Sequence, residues 1–201
     1  MYLKPEKCIF ESPYVDYLGI IVGNGTVRMD PKKVQAVSQW PTPEKKRDVQ
    51  AFLGFCNFFR RFIRGFSGVA KPLSNLTGNK EWPWGLPEQL TFEELKSRIA
   101  EDITLTIPHN EGQFQVEANS SEFANGAVLS QNLNGKWYPV AFRSRALNEV
   151  EQNYDIYDKE MMAIMDSLDE WRQYLLGAEE PVEIWTDHQN LQYFRKPQKL
   201  N

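Results

Sequence analysis

Residues 114–143 read FQVEANSSEFANGAVLSQNLNGKWYPVAFR, and this stretch decides the fold. Phe114, Val116 and Ala118 alternate with polar residues, the period of a strand with one covered face. Ala127 to Leu133 predicts a second strand, and Asn134-Gly135 supplies the two left-handed positions of a tight hairpin turn. Trp137 to Arg143 predicts the third strand. Downstream, Tyr154, Tyr157, Met161, Ile164, Leu168, Trp171 and Leu175 recur at helical spacing, which predicts one long helix from Glu149 to Leu176, capped by Gly177. Val182 to Trp185 reads as a fourth strand, and Gln189 to Phe194 as the start of another helix. Three strands, a helix and a further strand make an α/β unit with a mixed sheet.

Working outward from that unit, residues 81–112 read as a connector. Trp82-Pro83-Trp84-Gly85 is a loop, and Thr91-Phe92-Glu93-Glu94 fits a capping box opening a helix with Phe92, Leu95 and Ile99 on its apolar face. Residues 30–80 read as helices. Asp30-Pro31 is an N-cap followed by proline at the first helical position, and Thr42-Pro43 predicts a second start of the same kind. Val49, Phe52, Leu53, Cys56, Phe59, Phe62 and Ile63 give that second helix an apolar stripe running to Gly65. Residues 1–27 read as strands: Tyr14 to Val22 is rich in β-formers, and Gly23-Asn24-Gly25 is a turn signal.

Composition supports a globular chain of one large domain or two small ones: 201 residues, 41% hydrophobic. No apolar run approaches the roughly 20 residues of a membrane span. The two cysteines, Cys8 and Cys56, have no metal-type spacing, and free thiols lead to the expectation of an intracellular protein. Charge is divided. From Arg28 to Lys80 there are eleven basic residues against three acidic ones, and from Glu81 to Asn201 ten against twenty-one. The basic segment is the candidate for phosphate contact; a solvated charged face is the plainer reading.

Two places could carry chemistry. Asp187 follows the fourth strand, at the end where ligands gather in α/β sheets. With Glu160 on the long helix and a polar residue of the first strand it could hold Mg²⁺. Alternatively, Glu160 is a surface acid and Asp187 a helix cap. The other place is the helix from Phe52 to Arg64: Gly54 and Asn57 lie off the aromatic face, and Arg60, Arg61 and Arg64 cluster at its end, where they reach phosphates without reading bases. His109 and His188 suggest no triad, and no glycine-rich phosphate loop is present.

The order of motifs resembles gypsy-type retrotransposon reverse transcriptases. Tyr17-Leu18-Gly19, Met29 to Val34, Trp40-Pro41-Thr42-Pro43, Phe52-Leu53-Gly54, Asn57 to Ile63 and Ala70-Lys71-Pro72-Leu73 are similar to the thumb region, and Phe92 to Lys96 to the connector helix. Gly126 to Gln131, Pro139 to Phe142, Ser144-Arg145, Tyr154 with Glu160, and Thr186-Asp187-His188 with Leu191 resemble the ribonuclease H domain. The resemblance implies an α+β/α/β chain: end of palm with a primer-grip hairpin (1–27), helical thumb (28–80), connector (81–112) and a ribonuclease H-like domain incomplete at its C-terminal end (113–201).

Residue roles follow from the same resemblance. Leu18 and Gly19 correspond to the primer grip. Gly54, Asn57, Arg60 and Arg61 fall on the thumb helix that tracks a template–primer duplex. Glu160 and Asp187 correspond to the second and third carboxylates of a Mg²⁺ site that cuts the RNA strand of an RNA–DNA hybrid. One departure is decisive. The family's first strand ends Asp-Ala-Ser, and here it ends Asn119-Ser120-Ser121. An amide is neutral and its nitrogen cannot ligate a cation, so Mg²⁺ binding is expected to be weak or absent. The family's fourth acid and its polymerase aspartates are not among these residues. The expectation is a nucleic-acid-binding fragment, silent as a nuclease. The alternatives are a host-adopted interaction module with a protein partner, or a structural subunit of a reverse transcriptase dimer.

Overall fold

The computed structural model describes residues 8–78, 82–101 and 103–187. Three short strands open the described chain: β1 (Tyr14–Tyr17), β2 (Ile20–Gly23) and β3 (Thr26–Met29), paired antiparallel in order. Each connection is a two-residue turn with both residues at positive φ, the geometry whose twist matches a hairpin. Asn24-Gly25 suits that geometry. Leu18 at φ 54° does not, because a γ-branched residue pays a steric cost in the left-handed region. The turn is held by the Asp30 N–H, which donates to the Gly19 carbonyl at 3.0 Å.

Asp30 caps α1 (Pro31–Ser38) through its carboxylate, which accepts from the Lys32 N–H at 2.9 Å. The second helix does not start at Thr42-Pro43. Instead α2 runs Lys46–Phe58 from an extended Lys45, and the Asp48 carboxylate in its first turn accepts from the Glu44 N–H at 3.2 Å. Nor does α2 continue to Ile63. It tightens into a 3₁₀ turn at Arg60–Phe62, which has three residues per turn and so buries Phe59 and Phe62 on one side. Gly65, left-handed at φ 67°, turns the chain into α3 (Phe66–Val69) and α4 (Lys71–Asn75).

The connector helix also starts earlier than expected. α5 spans Leu86–Ala100, opened by Pro87 and by the Glu88 carboxylate accepting from the Gly85 N–H at 3.0 Å. Thr91 is therefore mid-helix and buried, not a cap. Phe92, Leu95 and Ile99 enter the same core as Val49, Phe52, Phe59 and Phe62, where the Phe52 and Phe92 rings lie 4.6 Å apart. A two-residue strand, β4 (Leu105–Thr106), then returns to pair with β3. The connector is thus built into the first sheet and the helical core.

The second sheet is formed by β5 (Phe114–Ser120), β6 (Ala124–Leu133), β7 (Lys136–Ala146) and β8 (Glu183–Trp185), in the order β7-β6-β5-β8. Only the β5–β8 pair is parallel. Phe114, Val116 and Ala118 are buried, as their alternation predicts. The long helix proves to be three pieces: a 3₁₀ turn (Glu151–Asn153), α6 (Ile156–Glu170) and α7 (Arg172–Leu175). Tyr154 is extended and Asp155 occupies the N-cap, so Tyr154 and Tyr157 stay exposed rather than joining the apolar face. Trp171, buried, marks the break between α6 and α7. The helix expected at Gln189 to Phe194 lies outside the described residues. Among the described residues no helix is long and apolar enough to cross a membrane. The architecture is the expected mixed α/β one.

The passage between the parts is tied down. Gln131, 0% exposed, accepts from the His109 N–H at 2.9 Å and donates to the carbonyls of His109, Glu111 and Gly112. The Ile107 N–H donates to Gly25 at 2.8 Å and the Asn132 N–H to Gln113 at 2.9 Å.

Candidate functional site

The parallel register Val116↔Ile184 and Glu117↔Trp185, continued by two residues, sets Asn119 beside Asp187. The side chains meet: Asn119 Nδ2 donates to Asp187 Oδ2 at 2.9 Å. Beneath them α6 carries Glu160, only 2% exposed. Its Oε1 accepts from the Ser120 N–H at 2.7 Å and its Oε2 from Thr186 Oγ at 3.2 Å. One carboxylate therefore holds the ends of both strands, and the reading of Glu160 as a surface acid is corrected. On the core side of β5, Ser120 Oγ donates to Asn125 Oδ1 at 2.6 Å. The sequence pattern did not single out Ser120 or Thr186 as partners of Glu160; the signal lay in their places at the ends of two strands that pair 68 residues apart.

These residues do not fit a two-metal site. A nitrogen donor faces Asp187 where a cation would need an oxygen, and the neutral amide cannot offset a second cation's charge as a carboxylate would. Among the described residues, no group of three histidine, cysteine, aspartate or glutamate side chains is placed to hold a metal ion.

The helical part approaches the other face of this sheet. Arg64 Nη2 lies 3.1 Å from Glu117 Oε2, across a cleft of about 280 Å³ that also contains Asn119, Gly65 and Gly68. Lys71 Nζ sits over the Phe123 ring, 2.7 Å from its centroid, and the Ser67 N–H donates to Ser144 Oγ at 2.8 Å. Arg60 is part of this joint. It donates to the Ser144 carbonyl of the edge strand β7 and to Asn57 Oδ1, and its guanidinium lies over Phe66. Burial, and after it the Arg143 guanidinium, pulls the Arg60 pKa below its ordinary value, with Glu170 opposing. Behind β7, Arg145 joins Glu151 at 2.9 Å and Asp166 at 2.8 Å.

The residues expected to meet nucleic acid thus separate. Gly54, Asn57, Arg61 and Arg64 are exposed, and a side chain at Gly54 would meet nothing within 4 Å. Leu18 projects from the hairpin turn, 71% exposed, and shares a small apolar hollow with Phe55, Phe58 and Lys33. Gly19, the other residue of that turn, is buried, and Arg60 is committed to the joint.

Comparisons with known proteins bear on the fold and on the kind of protein this chain resembles. Residues 109–201 match the RNase H-like domain found in reverse transcriptase. The chain is 38% identical over 94% of its length to the retrovirus-related Pol polyprotein from transposon opus of Drosophila melanogaster, covering 20% of that protein. It is 32% identical over 95% of its length to the transposon Tf2-3 polyprotein of Schizosaccharomyces pombe, covering 14% of it. The chain therefore spans a fifth or less of these curated relatives. Its fold is similar to foamy viral protease–reverse transcriptase in a complex with double-stranded DNA (TM-score 0.75, 21% identity, 92% of this chain and 32% of that one). It is also similar to the same viral protein with an RNA/DNA hybrid (TM-score 0.72, 21% identity, 94% and 26%). Together these support a segment of a retrotransposon Pol polyprotein with a reverse transcriptase RNase H-like region.

Proposed function

We propose that this chain is the part of a gypsy-type reverse transcriptase where the thumb runs into the ribonuclease H domain. In this reading it binds template–primer or RNA–DNA hybrid and its nuclease site is silent. The observation that carries the reading is a series of exposed residues. It begins at Leu18 on the strained hairpin turn, passes Phe58, Gly54 and Asn57 on α2, continues over Arg61, and reaches Arg64 beside Glu117 and Asn119. Each part suits a duplex. Leu18 offers an apolar tip for a sugar or base edge. Gly54 admits close backbone approach, and the two exposed arginines supply phosphate contacts that carry no sequence preference. The series ends at a carboxylate cluster whose first position is an amide, so the chain is read as holding hybrid without cutting it.

The test is fluorescence anisotropy of a labelled RNA–DNA hybrid across a salt series, beside a cleavage assay with Mg²⁺. Affinity that falls log-linearly with salt, with no cleavage, is expected. Absence of binding at low salt would favour a protein partner, and Mg²⁺-dependent cutting by the pure chain would overturn the silent-site reading.

A further inference from the structure

Among the described residues, little packing covers the strand β8. It has three residues, sits at the end of the described sheet order, pairs with β5 alone, and leaves Ile184 and Trp185 exposed. What fastens its C-terminal end is polar: Thr186 on Glu160 and Asn119 on Asp187. With an aspartate at position 119, two acceptor-only groups would face each other across the gap now spanned at 2.9 Å, with the buried Glu160 carboxylate held to Ser120, which follows Asn119, and to Thr186, which precedes Asp187. Like charges so close oppose one another strongly. A divalent cation between them would reverse the sign, and so does an amide N–H, which makes a charge-assisted hydrogen bond instead.

We infer that the Asn119–Asp187 hydrogen bond takes over the structural task of a cation, fastening β8 to β5 so that this domain keeps its sheet edge without divalent metal. The inference rests on reading the cluster as a nuclease-type carboxylate site with an amide at its first position. Its consequence concerns folding rather than cleavage: the amide makes the sheet end self-sufficient, and restoring the acid would make it dependent on an ion.

The experiment is thermal unfolding of the full chain in EDTA and in saturating Mg²⁺. The parent is expected to melt at the same temperature in both. Asn119→Asp is expected to melt roughly 3–12 °C lower in EDTA, which is the loss of one charge-assisted hydrogen bond in a chain of this size, and to recover with Mg²⁺. The exchanged pair, Asn119→Asp with Asp187→Asn, puts amide and carboxylate back in contact and is expected to match the parent in EDTA. An Asn119→Asp chain as stable as the parent in EDTA, or a parent stabilised by Mg²⁺ as much as that variant, overturns the inference. If Asn119→Asp does not fold without metal, the exchanged pair decides: folded in EDTA supports the fastening, unfolded overturns it. The readout is stability, so failure of hybrid binding and failure of this inference are separate results.

Discussion

Arg60 and Arg61 are neighbours in sequence and are expected to behave differently when removed. Arg60 is half-buried and donates to the Ser144 carbonyl and to Asn57 Oδ1, with Phe66 under its guanidinium. Truncation to alanine deletes a charged donor and strips a β7 carbonyl of its partner. Hydrogen bonds to charged groups contribute about 1.5–3 kcal/mol, so Arg60→Ala is expected to cost roughly 2–3 kcal/mol, or about 4–12 °C in Tm for a chain of this length. Arg61 is exposed and stacks loosely on Phe62, its guanidinium 5.9 Å from the ring centroid. Arg61→Ala is expected to leave stability within about 0.5 kcal/mol, as surface changes do. Its effect falls on binding: one phosphate contact fewer lowers the slope of log affinity against log salt by about 0.9 for a duplex. Urea unfolding and a salt series of hybrid binding, run on both variants, read the two quantities apart. An Arg60→Ala chain as stable as the parent that loses one unit of salt slope would refute the assignment of Arg60 to the joint.

The remaining predictions concern single groups. Glu160→Leu leaves the buried Ser120 N–H without its acceptor and is expected to lose about 2–3 kcal/mol in urea unfolding; Glu160→Gln, which keeps an oxygen for it, is expected to lose less, and equal losses would count against the strand-tying role. Hydrogen bonds from Arg145, and then from the Asn148 N–H, hold the Glu151 carboxyl below its usual pKa. That stability is present above the ordinary glutamate value of about 4.3 and is lost as pH falls through the lowered one. A Tm–pH profile should therefore fall more steeply on the acid side for the parent than for Glu151→Gln, and parallel profiles would contradict the pairing. Burial pushes the Cys56 thiol up to about 12, while Cys8 is exposed. A thiol reagent at mildly alkaline pH is expected to label Cys8 alone in the folded chain and both cysteines in urea, as mass spectrometry of the labelled peptides reports.

What the sequence disclosed and what it withheld divide by range. Asp30-Pro31, Asn134-Gly135 and the alternation of Phe114, Val116 and Ala118 act within a few residues, and each forms the element expected of it. Thr91-Phe92-Glu93-Glu94 satisfies a local motif as well, yet Leu86-Pro87 and Glu88 start the helix earlier and the core takes Thr91. A capping pattern cannot report that a longer helix already runs through it. β4 has two residues and a partner nearly eighty positions back, so no local signal marks it. At the candidate site, Asn119, Glu160 and Asp187 were legible as residues, while their contacts were not. A helix acid reads the same whether it faces solvent or two strand ends, and Arg60 reads the same as Arg61. Only the packing of α6 on β5, and of the helical part on β7, separates them.

The binding of Gln131 to the carbonyls of His109, Glu111 and Gly112, together with β4 on β3, has a mechanical meaning. The stretch from 105 to 113 is not a tether between two freely moving parts. A duplex lying along that series of exposed residues would meet Leu18 and Asn119 at a constant offset, as an object meets the two jaws of a fixed gauge. The chain's footprint on a duplex would then have two edges separated by a set number of base pairs, whatever the sequence beneath it. Loosening Gln131 would blur one edge without moving the other.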